Sequence, residues 1–350
     1  MKLTKLASSL ALATAIAVPS AAMLSAPVSA ETMPTVTMMV GGIDKQIYLY
    51  YELAQRLGFY KKYGINMKLS TEQAGGVGAE DAMVSGQVAM AGAWYVHTID
   101  FQQKGKDVID IIQLGVAPGE RIMCKTGSNI KSPADWKGKH VGVTDLGSGT
   151  DDLTSYVSAR AGLTSKDYTK IAAGAGQTMI AALKFGKAVC GMTSQPTVNA
   201  IEKLGVGYSA IDLSTGAGVQ KWLGGDFPAS SVLARADWVK KHPKETQAVV
   251  DALVATLNWM KHHTAADVAN ELPTDFVSNQ LTSKAEYIKA LKTDWGQFNL
   301  DGLGIMPKNG PQTVYNVEKA AGKIKGIKVD LANTYTNKYV EAAIKAEHLN

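Results

Sequence analysis

The chain has 350 residues, 46% of them apolar, with 36 Lys and Arg against 31 Asp and Glu for a formal net charge of +5, and two cysteines. The length is too great for one ordinary core and suits two domains. The basic residues are scattered without a long run, which argues against nucleic acid or an anionic membrane as partner. At the start, Lys2 and Lys5 precede an apolar run over residues 6–18 that is too short to span a bilayer. Pro19 and small residues then lead to Val28-Ser29-Ala30, so residues 1–30 read as a signal peptide cut before Glu31. No Cys follows the run to accept a lipid, and an unanchored periplasmic protein is expected. Its removal takes Lys and Arg from 36 to 34 and the net charge to +3.

Strand and helix signals then alternate, the mark of a parallel α/β architecture. Residues 36–40 read as a buried strand broken by Gly41-Gly42. The helix that follows sets Ile47, Tyr50, Tyr51, Ala54 and Leu57 on one face, and Gly64 suits a C-terminal cap. A strand over 65–69, a short helix over 79–84 stopped by Gly86 and a strand over 88–91 complete the unit. A like series begins at His140, with a strand over 141–144, a tight loop over 146–150 and a helix over 151–161 stopped by Gly162. A strand over 168–172, a helix over 178–185 and a strand over 188–192 follow. Gly76 and Gly176, Ala82 and Ala182, Gly86 and Gly186, and Gly105 and Gly205 all stand 100 residues apart, which predicts a duplicated β-α-β-α-β unit. Past residue 231 the pattern turns helical. Pro243 sits in a first turn, Val249, Val250, Leu253, Leu257 and Met260 share a face, and a last helix covers 337–347. Cys124 and Cys190 lie in strand-like runs and read as two small buried apolar side chains. A disulfide would need their Cα atoms within about 7 Å.

In open parallel sheets, ligands gather beyond the C-terminal strand ends, where the next helices present free N–H groups. That rule selects residues 41–46, 93–97, 145–150 and 193–196. Gly41, Gly42 and Gln46 fall in the first segment, with Tyr48 one turn into its helix. In the third, Thr144 ends the strand and Gly147-Ser148-Gly149-Thr150 forms a cradle for a carboxylate or sulfonate. There the glycines admit a close approach, although Ser148 or Thr150 is equally suited to be a helix N-cap. Asp152 stands where a dinucleotide fingerprint needs its third glycine. Trp94 and Tyr95 offer an apolar wall with His97 as a polar handle, unless Trp94 packs in the core and His97 faces water. Thr193 and Gln195 reach a ligand from the other lobe or simply start a helix, and Phe227 is a further candidate. The usual motifs of thiol, metal, serine and nucleotide chemistry are missing, and the histidines lack metal-ligand spacing beyond the adjacent His262-His263. No catalytic residue, metal or cofactor is expected, and the chain reads as a binding protein rather than an enzyme.

Several segments resemble a known family. They are Leu57-Gly58-Phe59-Tyr60-Lys61-Lys62-Tyr63-Gly64-Ile65, Val84-Ser85-Gly86-Gln87-Val88, Ser132-Pro133-Ala134-Asp135-Trp136-Lys137-Gly138-Lys139-His140-Val141-Gly142-Val143 and Tyr335-Thr336-Asn337-Lys338-Tyr339-Val340. Together they are similar to the substrate-binding proteins of ABC importers of the nitrate/sulfonate/taurine type, related to the pyrimidine- and thiamine-precursor binders. The resemblance implies the type II periplasmic binding protein fold, two α/β lobes joined by a two-segment hinge with a ligand cleft between them. It places lobe I at 31–120 with 232–350 and lobe II at 121–231. It also implies that Gly41, Gly42, Trp94, Tyr95 and residues 148–150 line the cleft. The expected function is capture of a small organic solute, an anionic sulfonate or carboxylate or an aromatic one, by a monomer that delivers it to a membrane permease and its ATPase. An enzyme or pyrimidine-precursor binder on the same fold, or a sensor for a membrane receptor, are the alternatives. The chain departs from the family where Ala89 and Val189 replace the acidic residue of its G-x-x-D strand, and it shows no obvious cleft arginine.

Overall fold

The computed structural model describes residues 33–349 apart from Ala74. The signal peptide expected over residues 1–30 lies outside the described residues. Among these, no helix is long and apolar enough to cross a membrane.

The chain opens with strand Thr35–Val40 (β1), whose Val36, Met38 and Val40 point to the core. Helix Leu49–Arg56 (α1) buries Tyr50, Tyr51, Leu53 and Ala54 as its spacing requires, and a short helix Phe59–Lys62 (α2) follows. Next come Asn66–Thr71 (β2), Val77–Ser85 (α3), Met90–Trp94 (β3), Val96–Gln103 (α4) and Val108–Gln113 (β4). The second run comprises Glu120–Lys125 (β5), His140–Val143 (β6), Gly149–Arg160 (α5), Thr169–Ala172 (β7), Gln177–Lys184 (α6) and Cys190–Ser194 (β8). It continues through Thr197–Lys203 (α7), Gly207–Leu213 (β9), Gly216–Leu223 (α8) and Ser230–Arg235 (β10). The remainder is helical: Ala236–Lys241 (α9), Pro243–Lys261 (α10), Ala265–Glu271 (α11), Thr274–Val277 (α12), Lys284–Thr293 (α13), Gly310–Ala320 (α14) and Lys338–Ala346 (α15).

Two five-stranded sheets result, in the orders β2-β1-β3-β10-β4 and β7-β6-β8-β5-β9. In each, the first three strands are parallel and the fourth is antiparallel to both its neighbours. The antiparallel strand of each sheet is the chain segment returning from the other. The repeat read from the glycines is structural, since α3 and α6, and β3 and β8, sit 100 residues apart at equivalent places. Gly86 and Gly186 both take a left-handed conformation, with φ of 86° and 68°. After each of them the turn persists, with Val88 N donating to Ala82 O and Ala188 N to Ala182 O. The third strand of each unit therefore starts two residues later than the pattern predicts, and Ala93, Trp94, Thr193 and Ser194 lie inside strands. Helix α10 packs on α1, α2 and α15, whereas α14 lies against both α4 and α5.

The expectation of two unbridged cysteines is corrected. Cys124 on β5 stands directly opposite Cys190 on β8, and the two form a disulfide. The reason is register: antiparallel pairing brings residues 66 apart in sequence into cross-strand contact.

Candidate functional site

Because β5 and β10 run against their neighbours, their first residues lie at the C-terminal ends of the parallel strands. Glu120 sits opposite Ser194 and Ser230 opposite Trp94. Residues of both sheets converge there. Lys45, Tyr48, Gly75 and Trp94 from the first, and Glu120, Thr144, Gly149 and Thr150 from the second, line one small space of about 10 Å³. The two sides touch. A Cβ built at Gly149 would stand 2.1 Å from Trp94 Cε3, and one at Gly75 would stand 2.3 Å from Thr144 Oγ1. Gln46 N also donates to Gln195 O across the gap at 3.2 Å. A volume of that order holds about one water, too little for a solute of several heavy atoms.

The cradle at the start of α5 is built from hydroxyls. Thr144 Oγ1 donates to Ser148 Oγ at 3.0 Å, and Thr150 Oγ1 lies 2.9 Å and 2.8 Å from the Thr144 and Ser148 hydroxyls. Thr144 N donates to Thr150 Oγ1 at 2.9 Å. Ser148 is also the N-cap of α5, accepting from Asp151 N, so the capping and cradle readings describe the same side chain.

Two charged residues that sequence reasoning did not single out face this space. Lys45 is buried and its Nζ donates to Gly41 O at 2.8 Å. Burial holds its ammonium below the usual lysine range, against the pull of Glu120. Burial likewise pushes the Glu120 carboxyl up to about 8, opposed by Lys45 and Arg121. Glu120 Oε2 has no hydrogen-bond partner among the described residues. Lys45 lies within the selected segment 41–46 and so had a sequence signal; Glu120 had none.

The other candidates are placed as follows. Gly41 passes so close to Gly76 that a Cβ would lie 2.4 Å from its N, and Gly42 has a φ of 101°; both positions require glycine. Gln46 is buried, with Nε2 donating to Tyr287 O. Phe227 backs Trp94 edge-on at 6.4 Å between ring centroids. Tyr95 turns away from the cleft, its hydroxyl 2.6 Å from Thr334 Oγ1. Thr193 is buried in β8 beside Arg121. The Gln195 side chain bonds Asn199. It lines a separate open groove of about 530 Å³ together with Arg121 and Glu286. Arg121 is tied to Asp294 through both terminal nitrogens, at 2.8 Å and 2.6 Å, and to Asp212 through Nε at 3.0 Å.

His97 is neither a cleft handle nor exposed. It is 2% accessible, with Nε2 3.5 Å from Glu80 Oε1 and Nδ1 3.5 Å from Asp100 Oδ2. The cause is the late start of β3, which puts residue 97 in the first turn of α4. Nearby, Lys323 pairs with Asp152 at 2.6 Å and with Asp151 at 3.1 Å, and Lys170 pairs with Asp151. Burial raises the carboxyls of Glu80 to about 8 and Asp152 to about 6.

Residues 46–266 match the NMT1/THI5-like family. The chain belongs to that family. The 4-amino-5-hydroxymethyl-2-methylpyrimidine phosphate synthase of Uromyces fabae is 25% identical over 331 residues, covering 84% of each chain. A solved structure from Bordetella bronchiseptica RB50 is 27% identical with a TM-score of 0.82, over 90% of this chain and 98% of that one. The periplasmic nitrate-binding protein NrtA of Synechocystis PCC 6803 is 17% identical with a TM-score of 0.69, over 91% of this chain and 90% of its own. The resemblance to the nitrate/sulfonate type thus holds, and the fold is that of the periplasmic binding proteins, shared with components of ABC importers. The expectation that the chain is not an enzyme is corrected, because a relative matched over most of its length is named as a synthase. A cleft site drawn from several strand ends leaves no linear motif, so missing motifs do not exclude catalysis.

Proposed function

We propose that this protein captures a small organic solute between its two sheets and delivers it to the permease and ATPase of an ABC importer. The observation that supports this reading is the convergence of Lys45, Tyr48 and Trp94 from one sheet with Thr144, Gly149 and Thr150 from the other on a single space. In this reading lobe I comprises 31–120 with 232–350, lobe II comprises 121–231, and the mature chain is periplasmic. A carboxylate or sulfonate is held by the hydroxyl cradle, the N-terminus of α5 and Lys45, while Trp94 and Tyr48 contact the apolar part. Screening the mature protein by thermal shift against sulfonates, aromatic carboxylates and pyrimidines tests it. A solute at a hundred times its Kd adds about 2.7 kcal/mol of stability; a panel in which nothing raises Tm counts against capture.

A second reading, catalysis on the same fold, is favoured by the synthase relative and by the buried Lys45 beside Glu120, an amine and a carboxyl both displaced toward neutrality. Its test is a change of solute mass after incubation with the protein, absent in Lys45→Met.

A further inference from the structure

We propose that His97, Asp100 and Asp152 form a divalent-cation site of the zinc class that fastens the first sheet to the second. One ligand atom from each residue lies within 4.8 Å of the other two. His97 and Asp100 sit on α4, which follows β3, and Asp152 sits on α5, which follows β6. An ion held by all three therefore links the helix that follows β3 to the helix that follows β6.

Three observations carry the proposal beyond an acidic cluster. First, Asp152 is 2% exposed and binds Lys323 through Oδ1, while its Oδ2 has no hydrogen-bond partner among the described residues. Both carboxyl oxygens of fully buried Glu318, on α14, are in the same condition. Glu318 stands close enough to Asp152 and Asp100 to feel their charge. Buried carboxylates without partners are costly, and a cation answers that cost. Second, among the described residues the five carboxyl groups of Glu80, Asp100, Asp151, Asp152 and Glu318 face three cationic partners, Lys170, Lys323 and His97. Third, His97 presents Nδ1 to Asp100 and turns Nε2 to the buried Glu80. A carboxylate behind a histidine is the arrangement that orients an imidazole toward a metal. One nitrogen and two oxygens suit Zn²⁺ or Mn²⁺ better than Ca²⁺, which takes oxygen ligands. Bonds of about 2.0–2.2 Å require the ligand atoms to draw in by roughly 1 Å, a change within reach of side-chain rotation.

The test is calorimetric titration of Zn²⁺ into the chelator-stripped mature protein, in a His262→Ala/His263→Ala background that removes the exposed histidine pair. One equivalent is expected to bind. Asp100→Asn, a half-buried position that tolerates the change, is expected to weaken it at least tenfold, and His97→Gln and Asp152→Asn to abolish it, with circular dichroism confirming the fold. Absence of binding in the background protein, or unchanged affinity in Asp100→Asn, overturns the proposal. If Asp152→Asn does not fold, Asp100→Asn alone decides.

Discussion

Trp94 of one sheet and Gly149 of the other are mutually exclusive with any side chain at position 149: a single added carbon there would lie 2.1 Å from the indole. Closure of the cleft therefore depends on a missing methyl group. Gly149→Ala is expected to leave each sheet intact and hold the sheets apart. Small-angle scattering should give a larger radius of gyration than the parent, and solute affinity should fall at least tenfold. A scattering profile identical to the parent's would sink this account of closure.

The Cys124–Cys190 disulfide closes a loop of 66 residues. Cys124→Ala/Cys190→Ala is expected to lower stability by about 2–4 kcal/mol, through greater freedom of the unfolded chain. Urea unfolding measures it, and an unchanged midpoint would contradict the assignment.

Much of this architecture was legible in the sequence, and the parts that were not share a cause. Helical spacing around Tyr50 and Tyr51, and glycines 100 apart, mark local features that backbone chemistry dictates. The strand-end rule selected Trp94, Gly149 and Thr150, with Tyr48 and Thr144 just outside its segments, and the five lie together because the rule follows parallel strands. It is blind to antiparallel ones, whose beginnings occupy the same edge, and so it passed over Glu120. Tyr95 and His97 were misplaced by a two-residue error in where β3 starts, enough to put Tyr95 at the N-cap and His97 in the first turn of α4. The disulfide depended on register between strands far apart in sequence, which no local pattern encodes.

Arg121 is buried and held by Asp294, which has no exposed surface. Asp294→Ala strands a buried guanidinium whose remaining salt bridge among the described residues is to half-exposed Asp212. A loss of about 3–5 kcal/mol is expected, read by thermal or urea unfolding; a loss below about 1 kcal/mol would show that Asp212 alone compensates.

Burial pushes the Asp110 carboxyl from its ordinary 3.8 up to about 8, although it accepts a hydrogen bond from Ile112 N. Between these values the folded chain keeps a proton that the unfolded chain has released. Its contribution to stability is thus complete below about pH 4 and is lost as the pH rises through about 8, with a slope of at most about 1.4 kcal/mol per pH unit. Asp110→Asn, which keeps an acceptor for Ile112, is expected to flatten the fall in Tm between pH 5 and 8. An unchanged slope would show that Asp110 does not carry it.

The order of strands has a consequence for synthesis. The second sheet draws only on residues 120–213, whereas the first needs β10, at Ser230–Arg235, between β3 and β4. As the chain leaves the ribosome, the earlier-made half waits with a gap in its middle while the later-made half already has every strand it needs. Pulsed hydrogen exchange is accordingly expected to protect β6 and β8 before β4, and fragments ending before residue 230 should leave β4 without its neighbour in the sheet and one edge of β3 unpaired.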